Sequence, residues 1–231
     1  GDDADDVGGD DAGDDGGTNP WDDEDPGDTF QAAACLRGPQ ESVAITSTEE
    51  LAAMTAGNAY HLEQDLVMTA AWQPLPLTNF ILDGRGHTID NLLVDQPLAN
   101  YAGLFSTPVN GCVRRLHFTN ANVSGHSYVG IVAGYLSSAF TLKNISISGS
   151  QVSAQLNAGA ALGGSLTPAL LSVDDLSVSA TTISGTTYIG GAVGYAHRIE
   201  LNRFVARAIE VKATGEAIGG AVGFTLGATK D

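Results

Sequence analysis

Basic side chains are scarce in this chain: 10 Lys and Arg stand against 27 Asp and Glu over 231 residues, for a net charge of −17. Without a basic stripe nothing neutralises a phosphate backbone, which excludes nucleic acid as an expected partner. Long apolar runs are missing too, and none reaches the roughly 18 residues that a membrane-crossing helix needs. No signal peptide is present and no initiator Met opens the chain, so a leader is expected to have been removed or omitted, which leaves room for a lipid anchor upstream of residue 1. Cysteine occurs only twice, at Cys35 and Cys112. Pairing depends on geometry rather than spacing, and the expectation here is two buried free thiols, with a disulfide as the alternative.

Catalytic motifs are absent as well. There is no His-Glu-x-x-His, no Gly-x-Ser-x-Gly and no Walker-type phosphate loop. The five histidines, His61, His87, His117, His126 and His197, fall at unrelated positions, so they are expected as scattered surface or corner residues rather than a metal cluster.

The acidity itself is uneven. Residues 1–30 hold 13 of the acids and no Lys, Arg or His, and the remainder is close to neutral. Such a segment offers no apolar face and repels itself, so residues 1–30 are expected as an acidic low-complexity tail or linker. Clustered carboxylates are also hard oxygen ligands, which makes Asp10, Asp11, Asp14, Asp15, Asp22 and Asp23 weak calcium candidates. The regular Asp-x-Asp-x-Asp-Gly loop is missing, and no other cofactor is expected.

What the chain has in quantity is repetition. A Gly-centred phrase occurs five times: Tyr101-Ala-Gly-Leu-Phe, Tyr128-Val-Gly-Ile-Val-Ala-Gly, Asn157-Ala-Gly-Ala-Ala-Leu-Gly, Tyr188-Ile-Gly-Gly-Ala-Val-Gly and Ala217-Ile-Gly-Gly-Ala-Val-Gly. The first glycines, Gly103, Gly130, Gly159, Gly190 and Gly219, are 27, 29, 31 and 29 residues apart. Second glycines follow at Gly134, Gly163, Gly194 and Gly223. A period of this size marks units that bury their apolar faces by stacking on their neighbours. Between the phrases lie alternating segments such as Leu142-Lys-Asn-Ile145-Ser-Ile147, then short ones such as Val152-Ser-Ala. Three short strands per period, apolar at every second position, predict one coil of a right-handed parallel β-helix. The glycines are expected to supply positive φ at corners and close approach between coils. Tyr101, Tyr128 and Tyr188 should share one column, interrupted by Asn157, while Tyr135, Tyr195 and Phe224 share another.

Upstream, Ser47-Thr-Glu-Glu50 is a capping box: Ser47 caps a short helix and Glu50 reaches back to the Ser47 N–H. That helix should cover the first coil, before strands at Tyr60–Val67 and Phe80–Leu82 and the turn Asp83-Gly-Arg-Gly86. The chain therefore divides into a tail (1–30), an N-terminal cap with first coils (31–97) and the repeats (98–231).

Together the phrases and this lead-in, from Thr48-Glu-Glu-Leu through Leu82-Asp-Gly-Arg-Gly-His-Thr-Ile-Asp-Asn-Leu to Ala102-Gly-Leu-Phe, resemble GLUG-motif repeat proteins over roughly residues 43–231. The third repeat departs from the pattern at Ala160-Ala-Leu-Gly-Gly and in the longer loop from Thr167. The resemblance implies a pectin-lyase-like β-solenoid of bacterial surface or secreted proteins, with no catalytic residues of its own. The expected role is thus non-enzymatic: adhesion or structural display outside the cell, with a glycan or protein ligand. One alternative is a filament subunit that stacks coil to coil through its C-terminal coil. Another is a polysaccharide-degrading β-helix, for which Asp174, Asp175, Arg198, Glu200, Arg203 and Arg207 are the candidate cluster; surface ion pairs are the simpler reading of it.

Overall fold

The computed structural model describes Cys35 and residues 41–226. The acidic segment with its six calcium candidates, and the finish from Ala228, lie outside the described residues. What is described is a parallel β-solenoid with one five-residue helix, Thr48–Ala52, near its start. One coil runs along Val109–Thr119, turns into Asn122–Gly125, passes Val129 and returns through Ala133–Leu136. The next stacks on it in register as Phe140–Ser148, Gln151–Ala154, Ala158–Gly159 and Leu162–Ser165. Two further coils repeat the path from Leu171 to Ala196 and from Ile199 to Thr225. Stacking in this way makes four parallel sheets, of nine, five, three and four strands.

Each coil thus has four segments where the sequence predicted three. The difference lies in the Gly phrase, which is two short strands joined by a tight turn rather than one strand. The fold of the phrase brings backbone against backbone. A Cβ at Gly134 would lie 2.6 Å from the Ala102 nitrogen, and one at Gly163 only 2.1 Å from the Tyr128 carbonyl carbon. Close approach is therefore what the phrase demands of glycine. The expectation of positive φ is corrected, because among the described glycines only Gly57, Gly86 and Gly149 have it, and none of these belongs to a phrase. The left-handed corners use other residues. Arg115, Asn144, Asp175 and Arg203 form one column with φ between 48° and 59°. That column bends each long strand into two legs. Asn120, Gly149, Ala180 and Ala208 form the corner into the next sheet. Asn and Asp suit such corners because their short polar side chains tolerate the left-handed region.

Inside, the apolar positions form ladders. Val113, Leu142, Val173 and Leu201 stack in register, as do Leu116, Ile145, Leu176 and Phe204. Burial is complete through most of the stack, with Phe80, Phe105, Phe118 and Phe140 at 1% exposure or less. Each such side chain contributes roughly 1.5–3 kcal/mol relative to exposure. At the N-terminal end the helix closes the core by burying Leu51. Ser47 Oγ accepts from the Glu50 N–H, as the capping box requires, but the Glu50 carboxylate reaches one residue further, accepting from the Thr46 N–H at 2.6 Å. At the other end Leu201, Phe204, Ile209, Val211 and Val222 are only partly buried, and Ile218 is exposed.

The thiol expectation is overturned: Cys35 and Cys112 form a disulfide, with Cα atoms 5.8 Å apart. The register explains it. Cys112 lies beside Ile81, which lies beside Ala59, on the outer face of the long sheet, and Cys35 completes this small apolar cluster.

Candidate functional site

On the edge built by the Gly phrases, two columns of side chains run side by side. One is Tyr101, Tyr128, Asn157, Tyr188 and Ala217; the other is Tyr135, Gly164, Tyr195 and Phe224. The rings meet across the columns. Tyr101 lies 6.0 Å from Tyr128 and 5.1 Å from Tyr135, and Tyr128 lies 5.2 Å from Tyr135. A second triad has Tyr188 at 5.3 Å from Tyr195 and 4.9 Å from Phe224. Pairs at these separations are worth about 0.5–1.5 kcal/mol each beyond burial. Tyr101 remains 37% exposed while Tyr195 is 6% exposed, so the ridge is anchored along its length and presents aromatic surface chiefly at the first triad.

The coil from Phe140 to Ser165 interrupts both columns at once, with Asn157 and Gly164. A Cβ at Gly164 would lie 2.9 Å from Tyr128 Cδ1, so the Tyr128 ring leans over the missing side chain. Asn157 is buried, and its Oδ1 has no hydrogen-bond partner among the described residues. Burial raises the pKa of Tyr128, Tyr135 and Tyr195, so these hydroxyls stay neutral and can donate. Aromatic faces beside neutral hydroxyls are suited to holding a ligand that is apolar on one side and hydroxylated on the other.

A second polar feature runs along the outer face of the long sheet. Asp83 is buried, and Arg114 Nε and Arg115 Nε each donate to it at 2.9 Å. Burial alone would raise the Asp83 pKa. The bonds from Arg115 and the Arg85 N–H, with the charge of Arg114, outweigh burial and hold the carboxyl below its ordinary value. Arg114 Nη1 also donates to the Cys35 carbonyl oxygen at 2.6 Å, which ties the disulfide to this clamp. Further along, Lys143 lies 3.5 Å from Asp174, and Arg203 contacts both Asp174, at 3.1 Å, and Asp175.

The candidate carboxylates Asp174 and Asp175 are therefore brought together, but one arginine binds both. Arg198, Glu200 and Arg207 stand elsewhere on the last coil and make none of the ion pairs found among the described residues. Those residues also hold no cluster of three or more His, Cys, Asp or Glu suited to a metal ion. The histidines differ from expectation at one point. His61 is 7% exposed and bonded on both ring nitrogens, to Ser42 and to Glu63. The two-residue spacing of His61, in the strand Ala59–Leu62, and Glu63 just after it was visible in the sequence, but Ser42 reaches them only through strand pairing. His87 faces Asp65, His117 bonds Ser146, and His126 lies beside Ser127.

No family model matches the chain. Over 69 residues the chain is 45% identical to Halomucin from Haloquadratum walsbyi; this stretch is 29% of the chain and 1% of that protein. A crystal structure from Bacteroides ovatus, provisionally named an immunoglobulin A1 protease, shares 15% sequence identity, with 83% of this chain and 84% of that one covered, at a TM-score of 0.39. A likeness that low carries no argument about function. No described helix is long and apolar enough to cross a membrane.

Proposed function

We propose that the Gly-phrase repeat coils of this protein work outside the cell as a non-catalytic β-solenoid for adhesion or structural display, with the aromatic ridge as the contact surface. The single observation that carries this reading is the pair of tyrosine columns along the Gly phrases, partly exposed at Tyr101, Tyr128, Tyr135 and Tyr188. Two others support it. A disulfide persists in oxidising surroundings and is rare in the cytosol. The 69-residue likeness to Halomucin, a protein named as a mucin, points the same way. The ligand class that fits is a glycan or a glycosylated protein.

Glycan and matrix-protein arrays probed with the wild type and with Tyr101→Ala/Tyr128→Ala test it. Wild-type binding that weakens at least tenfold in the double variant, with the β-sheet circular dichroism unchanged, is expected. Equal binding by both, or no binding to either array, sinks the adhesion reading.

A second reading has one observation in its favour, the half-exposed apolar side chains of the coil that ends at Thr225. Among the described residues the strands of that coil have no partner on their outer side, and such edges can pair with another copy. At the opposite end the helix Thr48–Ala52 covers the core, while the strand Val43–Ile45 has no second strand partner among the described residues, so coil-to-coil stacking remains the form of this alternative. A monomer by light scattering at high concentration removes it. Polysaccharide cleavage by Asp174 and Asp175 has the least support, because Arg203 pairs with both and Lys143 with Asp174.

A further inference from the structure

Ser42, His61 and Glu63 are brought together at the first coil. Ser42 precedes Val43–Ile45, the end strand of the nine-stranded sheet, and His61 lies in its parallel neighbour Ala59–Leu62, which Glu63 follows. Ser42 Oγ is 2.7 Å from His61 Nδ1, and His61 Nε2 is 2.7 Å from Glu63 Oε1. A carboxylate only accepts, so Nε2 carries the ring proton and donates it. In the neutral ring Nδ1 then keeps its lone pair and accepts from the Ser42 hydroxyl. Arg85 Nη1 donates to the same Glu63 oxygen at 3.0 Å, and the bond from His61 is the main cause that keeps the Glu63 carboxyl below its ordinary pKa. The ring is thus fixed at both nitrogens in the tautomer of a base.

Space adjoins Ser42. Glu41, Ser42, Val43, Gly57, Asn58 and Ala59 line an open cavity of about 530 Å³. Val43–Ile45 pairs on one side only, so the N–H groups of its open edge have no strand partner among the described residues and can donate to a developing oxyanion. The other two serine–histidine contacts, Ser146 with His117 and Ser127 with His126, have no carboxylate on the second ring nitrogen among the described hydrogen bonds. A nucleophile beside a base, a base oriented by an acid, and room for a reacting group are the elements of nucleophilic acyl transfer.

From this arrangement we propose that Ser42 is a nucleophile for small, uncharged acyl esters, with His61 as general base and Glu63 as the residue that orients it. The small neutral side chains of the cavity suit an acetyl-sized group, and Glu41 disfavours an anionic substrate. Ser42 Oγ attacks the ester carbonyl carbon while its proton passes to His61 Nδ1. The C–O bond to the alcohol breaks, the alcohol takes that proton, and the acyl group remains on Ser42 as an ester. Water then attacks the same carbon and gives His61 a proton. The bond to Ser42 Oγ breaks, a carboxylic acid leaves, and Ser42 regains its hydrogen. This activity goes beyond the display role, does not rest on it, and departs from the sequence-based expectation that the chain has no catalytic residues.

The test treats the full 231-residue chain with a fluorophosphonate probe and, separately, with p-nitrophenyl acetate. The expected result is one phosphonyl adduct, mapped to Ser42 by mass spectrometry. Ester hydrolysis should fall on the order of 100-fold or more in Ser42→Ala and in His61→Ala, with Ser146→Ala unchanged. Should either alanine variant fail to fold, the adduct map on the wild type decides alone. No adduct, an adduct on another serine, or a Ser42→Ala variant that hydrolyses as fast as the wild type overturns the proposal. None of these readouts depends on ligand capture by the aromatic ridge.

Discussion

Breaking the Cys35–Cys112 bridge should cost this protein a large part of its stability. The two residues are 77 positions apart. For a closed loop of that length the loss of chain entropy in the unfolded state amounts to about 4.5 kcal/mol. Native disulfides typically deliver somewhat less, so about 2–4 kcal/mol is the expected loss for Cys35→Ala/Cys112→Ala. Alanine is the right replacement because both sulfurs sit in an apolar cluster with Ile81, where a serine hydroxyl would add its own burial cost. The Arg114 bond to the Cys35 carbonyl involves backbone, so it survives the substitution and does not inflate the effect. With a urea dependence of about 3 kcal/mol per molar, the unfolding midpoint should drop by about 1 M. Fluorescence of Trp72, which is buried with its Nε1 bonded to the Leu104 carbonyl, can follow the transition. Two results refute the reasoning: a midpoint within about 0.2 M of the wild type, and two reactive thiols in unreduced protein.

Other perturbations separate the remaining forces. Gly163→Ala places a Cβ 2.1 Å from backbone that cannot move aside, so its melting temperature should fall by about 6 °C or more, which is about 2 kcal/mol or more in a domain of this size; Gly220→Ala, with nothing within 4 Å, should melt within a degree or two of the wild type. The folded-state pKa of Asp83 is depressed, so its contribution is fully present above the ordinary aspartate value of about 3.9 and is lost as pH falls through the lower folded value. Asp83→Asn should therefore flatten the acid side of the stability–pH curve and cost about 3–5 kcal/mol at pH 7, since Arg114 is left buried without its partner; an unchanged acid limb in urea titrations would count against the clamp.

How much of this could be read in the chain differs from feature to feature. The period of the Gly phrases, the alternating segments between them and the capping box at Ser47 are local patterns, and each predicts its own element because side-chain direction repeats every two residues in a strand. Even so, the pattern misjudged two points. It took each Gly phrase as one strand, since the turn inside it is set by backbone packing against the preceding coil. It also gave the positive-φ corners to glycine, although Arg115, Asn144, Asp175 and Arg203 occupy one of them.

The functional features divide in the same way. The tyrosine columns follow from the repeat register and were visible as columns, including the break at Asn157. Whether Cys35 meets Cys112, which arginines clamp Asp83, and that Ser42 stands at hydrogen-bond distance from His61 are facts of three dimensions. Each joins residues between 19 and 79 positions apart. A repeat determines by itself what stacks on what, because that is a matter of period. The sites on its outer face are decided only when coils of unequal length settle into register and place side chains from different coils within reach of one another.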